Sequence, residues 1–162
     1  MPRPARISKQ DKLSLIEEKI RNEIIWPSSL SVKFIDQFKG HGVFTDKFIQ
    51  AGDFIHYYSG DRLELDPLDN DTYVFAIKSG KKQIWIDATN TNHLCRYFND
   101  AHNQPNMLVK IIKVDQELPP VFVAARDIKE GEELTYYYGP GDHYWRYDKS
   151  SKKRSIKSDK AR

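Results

Sequence analysis

Gly131-Glu132-Glu133-Leu134-Thr135-Tyr136-Tyr137-Tyr138-Gly139, taken with Arg96-Tyr97-Phe98-Asn99 upstream, is the stretch that decides the fold. Read as a strand, it puts Tyr136 and Tyr138 on one face, because side chains alternate across the pleat. Two phenol hydroxyls then enter one pocket, Tyr137 faces away, and Gly139 ends the strand. Phenols are neutral at pH 7 and both donate and accept hydrogen bonds. That suits chemistry on an amine without adding a charge. Taken alone, three consecutive tyrosines describe an aromatic core strand equally well.

The surrounding sequence changes that balance. Gly40-His41-Gly42, then Arg96-Tyr97-Phe98-Asn99, then Pro105-Asn106, then Gly131 to Gly139 follow one another in a fixed order. In order and spacing they resemble the SET-family protein lysine methyltransferases, which share GxG, R-F-I-N-H-S-C-x-P-N and G-E-E-L-x-x-D-Y-G. The resemblance runs from about Lys39 to Gly139 and is strongest to the histone H4 lysine-20 monomethyltransferase type. It implies a mostly β fold with short helices, small curved sheets around a pseudoknot, and an N-terminal helix. The divisions it implies are a basic tail and amphipathic helix over 1–30, the SET domain over 31–139, and an aromatic segment with a basic tail over 140–162. It also implies S-adenosyl-L-methionine as methyl donor.

Residue by residue, the resemblance makes Lys39, Gly40 and His41 contacts to the donor through main-chain groups. Tyr73 matches a tyrosine that touches the donor, and Asn99 one that contacts its ammonium or carboxylate. Asp100 stands where the family has histidine and Ala101 where it has serine; a main-chain contact at Asp100 is expected to persist. Tyr58, in Tyr58-Ser59-Gly60-Asp61, lines the site near the transferred methyl. Tyr138 supplies the central hydroxyl that polarises the methyl and orients the amine, and Tyr136 binds the amine or a water beside it. A tyrosine rather than a phenylalanine at that first position goes with monomethylation. Two readings stand for Trp145: stacking on the adenine, or packing on the core.

Three departures, Asp100, Ala101 and Tyr137, keep a second function open: a catalytically weak or inactive SET module that binds chromatin or peptide. The resemblance makes the partner a histone tail or another Lys/Arg-rich protein, and the location the nucleus.

Composition sets the outer bounds. A chain of 162 residues, 39% hydrophobic and 30% charged, fits one soluble domain with a real core. No apolar run reaches membrane-spanning length and no leader pattern opens the chain. The single Cys95 excludes an internal disulfide and a zinc site built from several cysteines, so no metal is expected. Net charge is +3, concentrated in Pro2-Arg3-Pro4-Ala5-Arg6 and in Lys149 to Arg162. These tails suit contact with nucleosomal DNA phosphates or an import signal; a solvated tail is the alternative.

Local patterns fill in the elements. Ser8 with Asp11 caps an amphipathic helix over 8–25, ended by Pro27. Residues 32–38 form a strand and the Gly40-His41-Gly42 stretch a tight turn. A strand over 54–58 exposes His56. Residues 64–71 are an acidic loop, either solvated or steering a basic substrate. Residues 73–77 and 83–87 form a hairpin around Ser79-Gly80. A short helix over 92–98 delivers Asn99, and runs 108–114 and 121–125 are core strands around Pro119-Pro120. Glu132 and Glu133 support the turn and sheet.

Overall fold

A computed structural model describes residues 7–22, 26–67 and 72–139. The helix α1, Lys9–Arg21, begins where its capping residues require. The Ser8 hydroxyl accepts the Asp11 N–H at 3.1 Å and donates to the Asp11 carboxylate at 2.6 Å. It stops at Arg21, well before Pro27, because Asn22 leaves helical geometry while its N–H still bonds back to Glu18. Ile16 and Ile20 pack half-buried against Tyr57, Val121 and Val123.

Strands β1 (Leu30–Asp36) and β2 (Gly40–Thr45) form an antiparallel hairpin. Its turn lies just before the expected glycines. Asp36 Oδ1 accepts the N–H groups of Phe38 and Lys39, each at 2.7 Å, so a side chain closes the reversal. Gly40, His41 and Gly42 therefore sit within β2, paired with Asp36, Phe34 and Lys33.

β3 (Phe54–Tyr57), β8 (Met107–Ile111) and β9 (Pro120–Ala124) make a three-stranded antiparallel sheet in the order β3-β9-β8. A second sheet joins β4 (Asp61–Leu63), β6 (Lys82–Asp87) and β5 (Val74–Ser79), and its β5–β6 hairpin turns at Gly80 as expected. A 3₁₀ turn over Leu94–Tyr97 leads into β7 (Asn99–Asp100). β7 pairs in parallel with β10 (Thr135–Tyr136), more than thirty residues downstream. The result is a mostly β chain of small sheets with one α-helix.

Three local expectations need correction. β9 is buried throughout, but Leu108 and Ile111 of β8 are exposed, because β8 lies at the edge of its sheet. The reversal between them falls at Val114–Glu117, with Asp115 at φ 55°, and Pro120 lies inside β9. His56 is buried, its ring stacked on His93 at 4.6 Å, and is no surface residue.

Leu94, Phe98, Met107, Phe122, Ile128 and Leu134 fill the centre. The 131–134 segment is tied to β2 by Leu134 N–H to Val43 O at 2.7 Å and Thr45 N–H to Glu132 O at 3.1 Å. Core packing and backbone bonds thus bring β2, β7 and β10 to one place. Among the described residues, no helix is long and apolar enough to cross a membrane.

Candidate active site

Two residues of parallel pairing are too few to hold β7 against β10, and side chains complete the junction. Asn106, 3% exposed, donates its Nδ2 to Glu133 O at 2.7 Å and accepts the Thr135 N–H at 2.9 Å. Ala101 N–H adds a bond to Tyr136 O at 2.9 Å. The tyrosine strand ends at Tyr136, so strand alternation alone does not place Tyr138. Its N–H is instead held by the Asp100 carboxylate at 2.9 Å, and its hydroxyl donates to Phe98 O at 2.6 Å. Its ring meets that of Tyr136 at 4.7 Å, so the two phenols do converge.

Beside Tyr138 lies a cleft of about 190 Å3. It gathers Lys39, Gly40, His41, Tyr73, Asn99, Asp100 and Tyr138, seven of the ten residues singled out from the sequence. Tyr58 and Tyr136 stand behind it. Tyr58 is buried and donates its hydroxyl to Tyr73 O at 2.6 Å; Tyr136 stacks on Phe75 at 5.9 Å. Trp145 and both basic tails lie outside the described residues.

The glycines now have a physical reason. A Cβ on Gly42 would come within 2.7 Å of Glu133 Oε1 and 3.0 Å of Asn99 Nδ2. Only glycine lets β2 approach β7 this closely. Asn99 Nδ2 donates to His41 O and to Glu133 Oε1, both at 2.9 Å. Both amide protons are therefore committed, leaving Oδ1 as the polar atom the side chain can offer a ligand. An oxygen acceptor suits an ammonium better than a carboxylate.

Charges in the cleft are of both signs. Lys39 Nζ stands 3.8 Å from Glu133 Oε2. The Arg96 guanidinium lies over the Tyr73 ring at 4.2 Å and donates to Thr89 O and Thr91 O. Burial pushes the phenols of Tyr58, Tyr136 and Tyr138 well above their ordinary range. At Tyr138 the Asp100 charge adds to that effect. All three stay protonated and neutral at physiological pH. The Cys95 thiol is pushed up to about 12 by burial, so a thiolate nucleophile is unavailable there.

Sequence reasoning missed two participants. Arg96, first residue of the Arg96-Tyr97-Phe98-Asn99 motif, backs Tyr73. Of the two acids expected to support the turn and sheet, Glu132 holds the turn, bonding Arg126 at 2.7 Å and the Lys129 N–H at 2.9 Å, while Glu133 bridges to Phe44 of β2. Glu133 also anchors Asn99 and Lys39. The two adjacent acids face apart, each bonded to different partners.

Known proteins resemble this chain in sequence and in fold. A family profile described as the SET domain matches residues 40–139. Histone-lysine N-methyltransferase Set8 of Drosophila melanogaster is 33% identical over 113 residues, covering 62% of this chain and 16% of its own. The crystal structure of CpSET8 from Cryptosporidium superposes with a TM-score of 0.71 at 27% identity, covering 87% of this chain and 70% of that one. A structure of KRYPTONITE in complex with DNA, an H3(1-15) peptide and SAH gives a TM-score of 0.60 at 28% identity, covering 70% of this chain and 24% of that one. The chain spans less than half the length of the first curated relatives it matches.

Proposed function

The chain belongs to the SET-domain family, and from that premise we propose that it is a protein-lysine N-methyltransferase that uses S-adenosyl-L-methionine. The single observation that carries the reading is the convergence of Tyr138, Asn99 and the Gly40–His41 end of β2 on one cleft. The fit to the donor is supported by Gly42, whose missing Cβ leaves room for the Asn99 and Glu133 side chains beside β2, and by the Oδ1 that Asn99 retains for an ammonium. Lys39, Gly40 and His41 would hold the donor along β2, with Tyr73 against it and Asp100 at the Tyr138 end.

When bound, the donor supplies an electrophilic methyl group on a cationic sulfur. The chain's own residues do the rest. A lysine amine attacks only when neutral, although its ordinary pKa is about 10.4. Desolvation among Tyr58, Tyr136 and Tyr138 favours that neutral form. Tyr138 donates its hydroxyl to Phe98 O, and its oxygen, also an acceptor, would orient the incoming amine. Its N–H, fixed by Asp100, keeps that oxygen in register with the cleft. Tyr136, behind Tyr138, limits the room for a second methyl, and monomethylation is the proposed outcome. Trp145 on the donor's adenine belongs to the same proposal.

The proposed substrate is a histone tail or another Lys/Arg-rich protein in the nucleus, with nucleosomal DNA met by the basic tails. Set8 and the peptide-bound KRYPTONITE complex support a histone substrate by their names. Asp100, in place of the family's histidine, favours one competing reading, a module that binds peptide without turnover. Incubating the chain with isotopically labelled donor and core histones, followed by mass spectrometry, separates the two. Label confined to one methyl on lysine supports the enzyme; donor binding without label supports the module.

A further inference from the structure

A groove of about 510 Å3 runs between α1 and the body of the chain, and it shares no lining residue with the donor cleft. Ile7, Leu15 and Phe48 stand exposed along it, a concentration of large apolar side chains that marks an interaction surface. Its charges are three lysines, Lys12, Lys19 and Lys47, against one aspartate, Asp53. Lys12 is matched with Asp53 at 3.5 Å, and Lys19 lies over the Phe54 ring at 5.2 Å. Among the described residues, no carboxylate pairs with Lys19 or Lys47. The groove is therefore both apolar and positive. The chain's two tails are basic and have the wrong sign to fill it.

The complementary pattern stands elsewhere on the same chain. Leu65, 83% exposed, is the most exposed large hydrophobic side chain among the described residues. It lies between Glu64 and Asp66, both exposed, and none of the three lines the groove of its own chain. Over 64–71 the sequence carries four acids, two leucines and no basic residue. Pro67 restricts Asp66 to extended backbone, so the leucine sits on a stiffened segment that loses less freedom on docking. We propose that the 64–67 loop of one copy docks in the α1 groove of a second copy, with Leu65 among Ile7, Leu15 and Phe48 and Glu64 toward the lysines. The leucine supplies the apolar contact, and the charges set orientation and partner choice. Loop and groove are unlike patches, so the contact is head-to-tail. Its small footprint makes the association weak and dependent on concentration.

Analytical ultracentrifugation of the full chain, from micromolar to millimolar concentration, tests this. At low ionic strength the average mass should rise above that of the monomer as concentration rises. It should fall back at about 0.5 M salt, where the charges are screened within a few ångströms. Leu65→Ser and Lys47→Glu change exposed positions, so both should fold, which thermal unfolding checks. Each should weaken the association about tenfold. Lys47→Glu mixed with Glu64→Lys should associate at a concentration where neither does so alone, because the first keeps the loop and the second keeps the groove. A wild-type chain that stays monomeric throughout overturns the proposal and leaves the groove to an acidic segment of another protein. Association that salt leaves unchanged, or that either variant retains at wild-type strength, overturns it as well. So does a mixture no heavier than its two parts.

Discussion

The β7–β10 junction and the seat of α1 both join segments far apart in the chain, yet they use different materials. At the junction, Asn106, Asp100 and Asn99 are each spent on bonds that reach another element. Those bonds lie in or beside a packed core of Phe98, Phe122 and Leu134. α1 buries none of its residues. It is held by Ile16 and Ile20, half-buried against Tyr57, Val121 and Val123, and by Lys12 to Asp53 at 3.5 Å, Arg21 to Asp115 at 3.2 Å, and Lys19 over the Phe54 ring. Exposed ion pairs contribute little, whereas a buried polar group left without its partner is costly. The contrast locates the chemistry. Precision is concentrated where the two short strands meet.

The sharpest way to break the comparison is to cut the junction. Asn106→Leu strands Glu133 O and the Thr135 N–H together, and should cost about 4 kcal/mol in urea unfolding. A loss comparable to that of an exposed contact would mean the junction is not the keystone.

A second test uses acid. Burial holds the His93 imidazole down at about 4, against an ordinary 6.5. The unfolded chain therefore takes up the proton first, and stability falls as pH drops from about 6.5 to about 4, then levels. The full loss is about 3 kcal/mol. His93→Asn keeps an acceptor for the Cys95 N–H, bonded at 3.3 Å, and should flatten this part of the curve. Parallel pH profiles for the two proteins would remove His93 from the account.

Gly42→Ala probes the close approach itself. The nearest atoms are flexible side-chain ends, so the stability cost should be about 1 kcal/mol. Displacing Asn99 and Glu133 should nevertheless weaken donor binding about tenfold. Unchanged affinity by calorimetry would show that β2 does not shape the cleft. The smallest effect belongs to the helix: Lys12→Ala should change unfolding by less than about 1 kcal/mol and leave donor affinity untouched.

Much of the site was legible because its motifs are chemical. Gly40, His41, Asn99, Asp100 and Tyr138 could be named from residue type and order, and all meet at one cleft. The hairpin at Gly80 and the cap at Ser8 are local, so sequence suffices for them. What escaped depends on distant neighbours. His56 looks like a surface residue on an alternating strand until His93, brought in from another segment, covers it. The turn ascribed to Gly40 belongs to the Asp36 side chain, a choice that spacing does not reveal. The partner of the Tyr138 hydroxyl is a backbone carbonyl, Phe98 O, and carbonyls carry no sequence signal.

The central claim is that the Tyr138 oxygen, its proton held by Phe98 O, serves methyl transfer and not donor binding. Single-turnover methyl transfer to core histones, run on wild type and Tyr138→Phe with donor affinity measured on both, tests it directly. We expect equal affinities within a few-fold and a transfer rate lower by roughly two to three orders of magnitude in the variant. Equal transfer rates, or a variant that fails only because the donor no longer binds, would contradict the account.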